Sequence, residues 1–255
     1  MDLTSEVEHR RREEGFVASE RALLQLPLQA VPTDADRFVA WFEGLRESGP
    51  GQDDDLFPWL ASHASLDDMR WFLRQEVAGE AGFDDLVALT QRAMPPRVKL
   101  EMGRNFWDEL GQGHATGMHG PMLERLSENL GLRFVAGPPV WESEALGNLM
   151  VALAWNRHYA YQAIGALGVI ELTAPGRADR VNEGLKRLGV PPKARQYFAL
   201  HATLDVRHSA AWNREVLMPL VAADPRCARP IAEGALLRLN AGLRCFSRYR
   251  KHLWS

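Results

Sequence analysis

Three side chains that bind transition metals recur at helical spacing in the segment HATLDVRH. His201, Asp205 and His208 follow the pattern H-x3-D-x2-H, which on an α-helix places them at about 0°, 40° and 340° around the axis. They therefore share one stripe of a helix, where one metal ion, or two ions close together, could contact all three. Two nearby histidines are more often polar surface positions, so the pattern indicates a metal site only together with further ligands.

A second pair of candidate ligands, Glu109 and His119, lies in NFWDELGQGHATGMH. On an ideal helix their spacing leaves them about 80° apart, so we expect them to converge only where the helix is distorted. The three intervening glycines are typical of kinks and π-bulges. They are equally compatible with the end of one helix and the start of another, with both side chains in solvent. His114 is ranked below His119 because it lies in the glycine-rich break.

Three further glutamates stand beside apolar residues. Glu171 follows the apolar stretch IGALGVI, where an unpaired carboxylate would be costly to bury; a half-exposed position at a helix end is the competing interpretation. Glu76 and Glu80 are four residues apart in FLRQEVAGE and so share a helix face at the border of the core. Either could be an ordinary solvated residue. As ligands we expect Glu76 to matter more than Glu80.

The combined set suits iron or manganese. Its members are Glu109, His119, Glu171, His201, Asp205 and His208, with Glu76 or Glu80 in addition. Imidazole and carboxylate ligands without thiolate are typical of non-haem iron sites that react with O2, and zinc remains an alternative. Ferritin-like dinuclear sites use two Glu-x-x-His motifs, whereas here Glu6 and His9 form the one copy, so a ferritin-type arrangement is excluded.

The elements that must position these residues are helices. Apolar residues recur at helical spacing and strict alternation is rare, so the expected fold is all-α. Prolines and glycines divide the sequence into predicted helices over 5–25, 34–47, 66–91, 96–130, 142–173, 177–188, 192–222 and 228–252. The length of 255 residues, 46% of them hydrophobic, favours a single domain. In it, N-terminal helices in 1–60 pack on a metal-binding core over 66–222, which a C-terminal helix over 228–252 follows.

The composition excludes several classes of protein. A formal net charge of −3 provides no basic surface of the kind that nucleic-acid binding needs. Two cysteines, Cys227 and Cys245, cannot build a disulfide framework or a thiolate-rich metal site. The chain has no signal peptide and no apolar run of about 18 residues. We therefore expect a cytoplasmic protein without membrane or nucleic-acid partners.

The sequence resembles the haem-oxygenase-like diiron oxidases and oxygenases, a family of iron-containing redox enzymes. The resemblance covers residues 66–217. It is strongest at the H-x3-D-x2-H motif, which matches the last core helix of the family, and at Glu171, which is similar to the glutamate of the preceding core helix. Glu109 with His119 resembles the pair on the second core helix, although the interval in this pair varies within the family and His114 stays an alternative. The segments FDDLVALTQ, NFWDELGQG, MHGPML and GALGVIELTAPGR are also similar to this group.

The resemblance implies a haem-oxygenase-like helical bundle that holds two iron ions and no haem. Members of the family use O2 as co-substrate for N-oxygenation of amino acids or amines, for oxidative decarboxylation of fatty acids to terminal alkenes, or for C–C cleavage of amino acids. The implied function is thus the O2-dependent oxidation of a small organic substrate. Which substrate this is, whether manganese replaces iron, whether an electron donor takes part and whether the chain forms a homodimer all stay open.

Three other functions compete with this interpretation. A thiaminase-like hydrolase of the same fold needs a nucleophilic cysteine, and Cys227 and Cys245 both follow the last core helix. A haem oxygenase needs an axial histidine and a glycine-rich distal helix, which His9 and the pair Gly165 and Gly168 match only loosely. A helical interaction protein without enzymatic activity is the third alternative.

Overall fold

The computed structural model describes residues 2–24, 30–80, 85–92 and 94–255. Within these ranges the chain is all-α, as the apolar periodicity predicts, and has no strand. The α-helices are α1 (Leu3–Ala22), α2 (Ala35–Ser48), α3 (Leu56–Ser62), α4 (Leu66–Gly79), α5 (Leu86–Thr90), α6 (Pro96–Glu109), α7 (His119–Leu130), α8 (Trp141–Trp155), α9 (Ala160–Arg187), α10 (Gln196–Trp212), α11 (Met218–Ala223) and α12 (Ala228–Leu253). A π-helical turn, Asn213–Leu217, joins α10 to α11.

Several predicted helix boundaries were wrong. The predicted helix 96–130 is two helices, α6 and α7, separated by residues 110–118. The predicted helix 142–173 ends early, at Trp155, and α3 was not predicted at all. Of the predicted helix 66–91, residues 81–84 lie outside the described part of the chain.

The predicted break before residue 177 is also absent, because α9 continues through Pro175. Proline cannot donate the hydrogen bond that the carbonyl group of Glu171 would otherwise accept. The helix nevertheless persists, since α9 is the central helix of the bundle and packs against α3, α8, α10 and α12. Tertiary contacts on several sides thus override a local signal for a helix end.

Glycines allow the closest helix contacts of the bundle. A Cβ atom on Gly165 would lie 1.8 Å from the carbonyl oxygen of Ile231, and one on Gly234 would lie 1.8 Å from that of Gln162. The backbones of α9 and α12 therefore touch where they cross. At Gly168 a Cβ atom would meet the indole of Trp212 at 2.6 Å. The space at these glycines is thus filled by α12 and an aromatic side chain.

The N-terminal helices contact the bundle through ion pairs as well as apolar side chains. Arg21 Nε of α1 lies 2.7 Å from Glu233 Oε1 of α12, and Arg244 of α12 pairs with Glu20. Helix α2 packs against α9 and α11. None of the described helices combines the length and the apolar character that a bilayer crossing requires.

Candidate metal centre

A tight loop brings Glu109 and His119 together. Glu109 is the last residue of α6 and His119 is the first residue of α7. Between them Gly111, Gln112 and Gly113 all have positive φ angles, and a Cβ atom on Gly111 would lie only 2.3 Å from the carbonyl carbon of Gly117. The chain therefore folds back on itself, and Glu109 Oε2 lies 2.6 Å from His119 Nδ1.

The expectation that only a distorted helix could join this pair was therefore wrong. Two ordinary helices meet at their ends, and both side chains point into the bundle instead of the solvent. His119 is 1% exposed. His114, its competitor, lies exposed in the loop, so the structure brings His119 and not His114 to the centre.

The stripe on α10 faces this pair and Glu171 of α9. The rings of His201 and His119 are 4.5 Å apart between centroids, and His208 Nδ1 lies 3.4 Å from Glu171 Oε2. Asp205, between the two histidines on α10, is 3% exposed and lines the same cavity. Thus α6, α7, α9 and α10 direct all six candidate ligands to one region.

Two overlapping sets of ligand atoms result. Glu109, His119 and His201 each offer one ligand atom within 4.8 Å of the others, and so do Glu109, Glu171 and His208. Glu109 belongs to both sets. The arrangement could therefore hold two ions side by side with a carboxylate between them, as dinuclear metal sites do.

Both α10 histidines are oriented by an acceptor on their outer side. His201 Nδ1 donates to the carbonyl oxygen of Tyr197 at 2.7 Å, and His208 Nε2 donates to Asp108 Oδ2 at 3.0 Å. Metal-binding histidines are commonly held in this way, because the bond on one ring nitrogen leaves the other available to a metal. The available atoms are Nε2 of His201 and Nδ1 of His208.

The carboxylates of the centre outnumber the positively charged side chains near them in the described part of the chain. Glu80, Glu109, Glu171 and Asp205 share one cavity, and within the described residues their ion pairs are with histidines only, with no lysine or arginine within 4.0 Å. Burial, then the charges of Glu171, Glu109 and Glu80, raises the pKa of Asp205 to about 10. Burial and the neighbouring Glu76 raise the pKa of Glu80 to about 7. Bound cations would relieve this repulsion, so the donor set fits a metal centre.

The two α10 histidines differ in their electrostatic environment. Burial, assisted by the nearby His119, lowers the pKa of His201 to about 4. Burial also acts to lower the pKa of His208, but hydrogen bonds and charges from Glu171 and Asp108 outweigh it and raise that pKa to about 9. In the metal-free protein at neutral pH, His201 is therefore neutral and His208 carries a proton that a metal must displace.

The structure distinguishes the two glutamates at the end of α4, Glu76 in its last turn and Glu80 just after it. Glu80 Oε2 accepts a hydrogen bond from the hydroxyl of Tyr197 at 2.5 Å and is close enough to Asp205 to raise its pKa. Glu76 instead is near Arg238 and Arg177, whose charges act against the pKa increase that burial causes. Glu80, and not the initially preferred Glu76, is thus the carboxylate of this pair that acts on a candidate ligand.

Sequence reasoning missed three residues that position the ligands. Asn105 Nδ2 donates to Glu171 Oε1 at 2.7 Å, and Tyr197 and Asp108 hold His201 and His208. Asn105 and Tyr197 each precede a candidate ligand by four residues, so a search for polar side chains one helical turn away would have found them. Asp108 gives no such signal, because it directly precedes Glu109 and adjacent residues on a helix point about 100° apart.

Neither cysteine is prepared to act as a nucleophile. Cys245 lines the cavity, but burial raises its pKa to about 12 and its thiol donates to the carbonyl oxygen of Glu142. Burial also raises the pKa of Cys227. Because the thiolate is the reactive form, these environments disfavour the thiaminase-like alternative.

The fold and part of the sequence match known proteins. Residues 70–243 match the model of a protein family described as iron-containing redox enzymes. Two crystal structures of a CADD-like protein of unknown function from Nostoc punctiforme are similar in fold. The one at 2.00 Å resolution has a TM-score of 0.61 and 17% identity, covering 96% of this chain and 100% of that chain. The one at 1.35 Å has a TM-score of 0.63 and 18% identity, covering 87% and 96%. No curated protein matches this chain.

Proposed function

The chain belongs to the iron-containing redox enzyme family, and from this premise we propose that it is a non-haem diiron oxidoreductase that uses O2 to oxidise a small organic substrate. One observation carries the proposal: two sets of ligand atoms overlap at Glu109, in a cluster whose carboxylates have no lysine or arginine partner within 4.0 Å among the described residues.

In this proposal Glu109, His119 and His201 would hold one ion. Glu109, Glu171 and His208 would hold the other, and Asp205 and Glu80 would supply further negative charge. When bound, the iron ions would supply the redox chemistry that activates O2. The electrons for the reduction of O2 would come from the substrate or from an external donor.

The remaining side chains would keep the ligands in place. Tyr197 holds both His201 and Glu80, Asp108 holds His208, and Asn105 holds Glu171. Each of these bonds restricts a ligand to one orientation, which limits the reorganisation needed when a metal binds. The apolar walls of the adjoining cavity would limit the access of water to the reacting groups.

Anaerobic titration with Fe(II), followed by elemental analysis, tests the proposal. We expect about two iron ions per chain and O2 uptake by the loaded protein. The substitution His201→Ala should reduce the iron content while far-UV circular dichroism stays helical. The matched control is His114→Ala, which removes an exposed histidine of the adjacent loop and should change neither measurement. Full iron content in His201→Ala, or an equal loss in the control, would contradict the assignment.

A further inference from the structure

The cavity beside the metal centre has a second polar region, formed by two arginines. Arg177 of α9 and Arg238 of α12 line the cavity together with Glu76. The same cavity, of about 110 Å³, extends from these residues to the candidate ligands His201 and Asp205. A molecule held at the arginines would therefore lie in the same enclosed space as the metal centre.

Neither of the two partly buried guanidinium groups forms an ion pair with a described residue. Within the described residues neither has a carboxylate within 4.0 Å, whereas Arg21, Arg244 and Arg250 each form such a pair. The hydrogen bond of Arg177 is to the hydroxyl of Thr173 at 3.0 Å. Among the residues that the structure describes, the buried Nε of Arg238 has no hydrogen-bond acceptor.

The arginine region combines two cations with nearby carboxylates. Arg177, Arg238 and Glu76 line it, and the charges of Glu80 and Asp54 also act on Arg177. Burial and the charge of Arg238 lower the pKa of Arg177 to about 10, so it stays protonated at neutral pH. Because neither guanidinium group has a carboxylate within 4.0 Å among the described residues, a ligand carboxylate placed between them would form direct charge-assisted hydrogen bonds that the protein itself does not supply.

The shape of the region favours a carboxylate on an apolar body. Aromatic rings hold Arg177 in place, with Phe57 and Phe246 at 5.9 and 5.4 Å from its guanidinium carbon. The planar fork of a guanidinium group matches the two oxygens of a carboxylate. Apolar side chains such as Ile170 and Phe198 line the cavity nearby and would accommodate a hydrocarbon or aromatic group.

A second pocket adjoins the cavity at the same residue. Arg177 and Phe57 contribute to the lining of both, so Arg177 lies at the end of the cavity that faces this second pocket.

We propose that Arg177 and Arg238 bind the carboxylate group of the substrate and direct its apolar part toward the metal centre. The inference rests on the proposed function for the reaction, and it narrows the substrate class to small monocarboxylates with an apolar body. Binding itself depends on the arginines and is measurable without iron.

Isothermal titration calorimetry on the full-length, EDTA-treated protein tests this with hexanoate, hexan-1-ol and hexylamine. We expect hexanoate to bind at least about tenfold more tightly than hexan-1-ol, and hexylamine not to bind. Arg177→Gln and Arg238→Gln should each weaken hexanoate binding by at least about tenfold. Arg180→Gln, which removes an exposed arginine on the same helix, should leave it unchanged. Thermal unfolding identifies any variant that fails to fold. For such a position Arg→Lys is used instead, with a smaller loss expected because the charge stays but the planar fork is lost.

Equal binding of hexanoate and hexan-1-ol would overturn the inference, and so would unchanged affinity in both glutamine variants. A third contrary result is hexanoate binding that appears only after anaerobic Fe(II) loading and persists in both variants, because the carboxylate would then bind the metal. Iron content is measured in parallel and should be normal in the arginine variants. Hexanoate binding to a protein that takes up no iron would support the inference while refuting the proposed function. Iron uptake without hexanoate binding would refute the inference and leave the proposed function standing.

Discussion

Replacing Asp205 by asparagine should stabilise the metal-free protein while weakening metal binding. Asp205 is 3% exposed, and burial together with Glu171, Glu109 and Glu80 raises its pKa to about 10. In the folded, metal-free protein it must therefore be protonated at neutral pH, whereas in the unfolded chain it ionises freely. Asparagine has nearly the same shape and needs no proton, so the substitution removes this cost of folding.

The magnitude follows from proton linkage. Because the folded pKa of Asp205 lies above 7, the cost at pH 7 depends on the distance from the ordinary value of 3.8 up to the working pH. At about 1.4 kcal/mol per pH unit this amounts to about 4 kcal/mol at pH 7 and about 2 kcal/mol at pH 5. The sign is that of a raised folded pKa: the wild-type protein loses stability as the pH rises from 4 towards 10, and Asp205→Asn loses less.

Urea unfolding of EDTA-treated protein at pH 5 and pH 7 measures the effect. Asp179→Asn, an exposed substitution on α9, is the control and should change the free energy of unfolding by no more than about 0.5 kcal/mol at either pH. A destabilised Asp205→Asn at pH 7, or a gain that does not shrink at pH 5, would refute the reasoning. The same variant should bind less Fe(II), because asparagine offers no anionic ligand.

Three further predictions test the geometry of the centre. Glu109→Ala should lose both metal ions, because Glu109 belongs to both ligand sets, whereas His201→Ala and His208→Ala should each lose one ion. Elemental analysis measures the metal content, and an equal loss in all three variants would contradict this prediction. Tyr197→Phe removes the hydroxyl that donates to Glu80 but keeps the backbone carbonyl that accepts from His201. Metal affinity, measured in a competition titration, should fall by about 10-fold to 100-fold. An unchanged affinity would mean that the hydrogen bond from Tyr197 to Glu80 is unimportant for metal binding. Gly111→Ala places a side chain where φ is +60° and a backbone atom lies 2.3 Å away. It should therefore lower the free energy of unfolding by about 1–3 kcal/mol and weaken metal binding. Wild-type values for both would argue that the loop is not what brings Glu109 and His119 together.

Much of the fold is predictable from local pattern. Helical periodicity is a property of neighbouring residues, so it correctly indicated an all-α protein and the positions of most helices. It also correctly put the H-x3-D-x2-H motif on one stripe, because a single helix, α10, carries all three residues. At Pro175 the local pattern predicted a helix end, but contacts with distant parts of the chain keep the helix continuous, so this prediction was wrong.

The sequence by itself therefore determined the helical class and the types and stripe of the candidate ligands, including the resemblance that pointed to iron. Only the tertiary structure decided that Glu109 meets His119 across a loop, that Glu80 and not Glu76 lies beside the ligands, and that Arg177 and Arg238 share their cavity. The physical reason is that these relations join different helices. Spacing along one helix determines direction around its axis, but the approach of two helices depends on packing at places such as the Gly165 crossing, and that packing is set by the whole core.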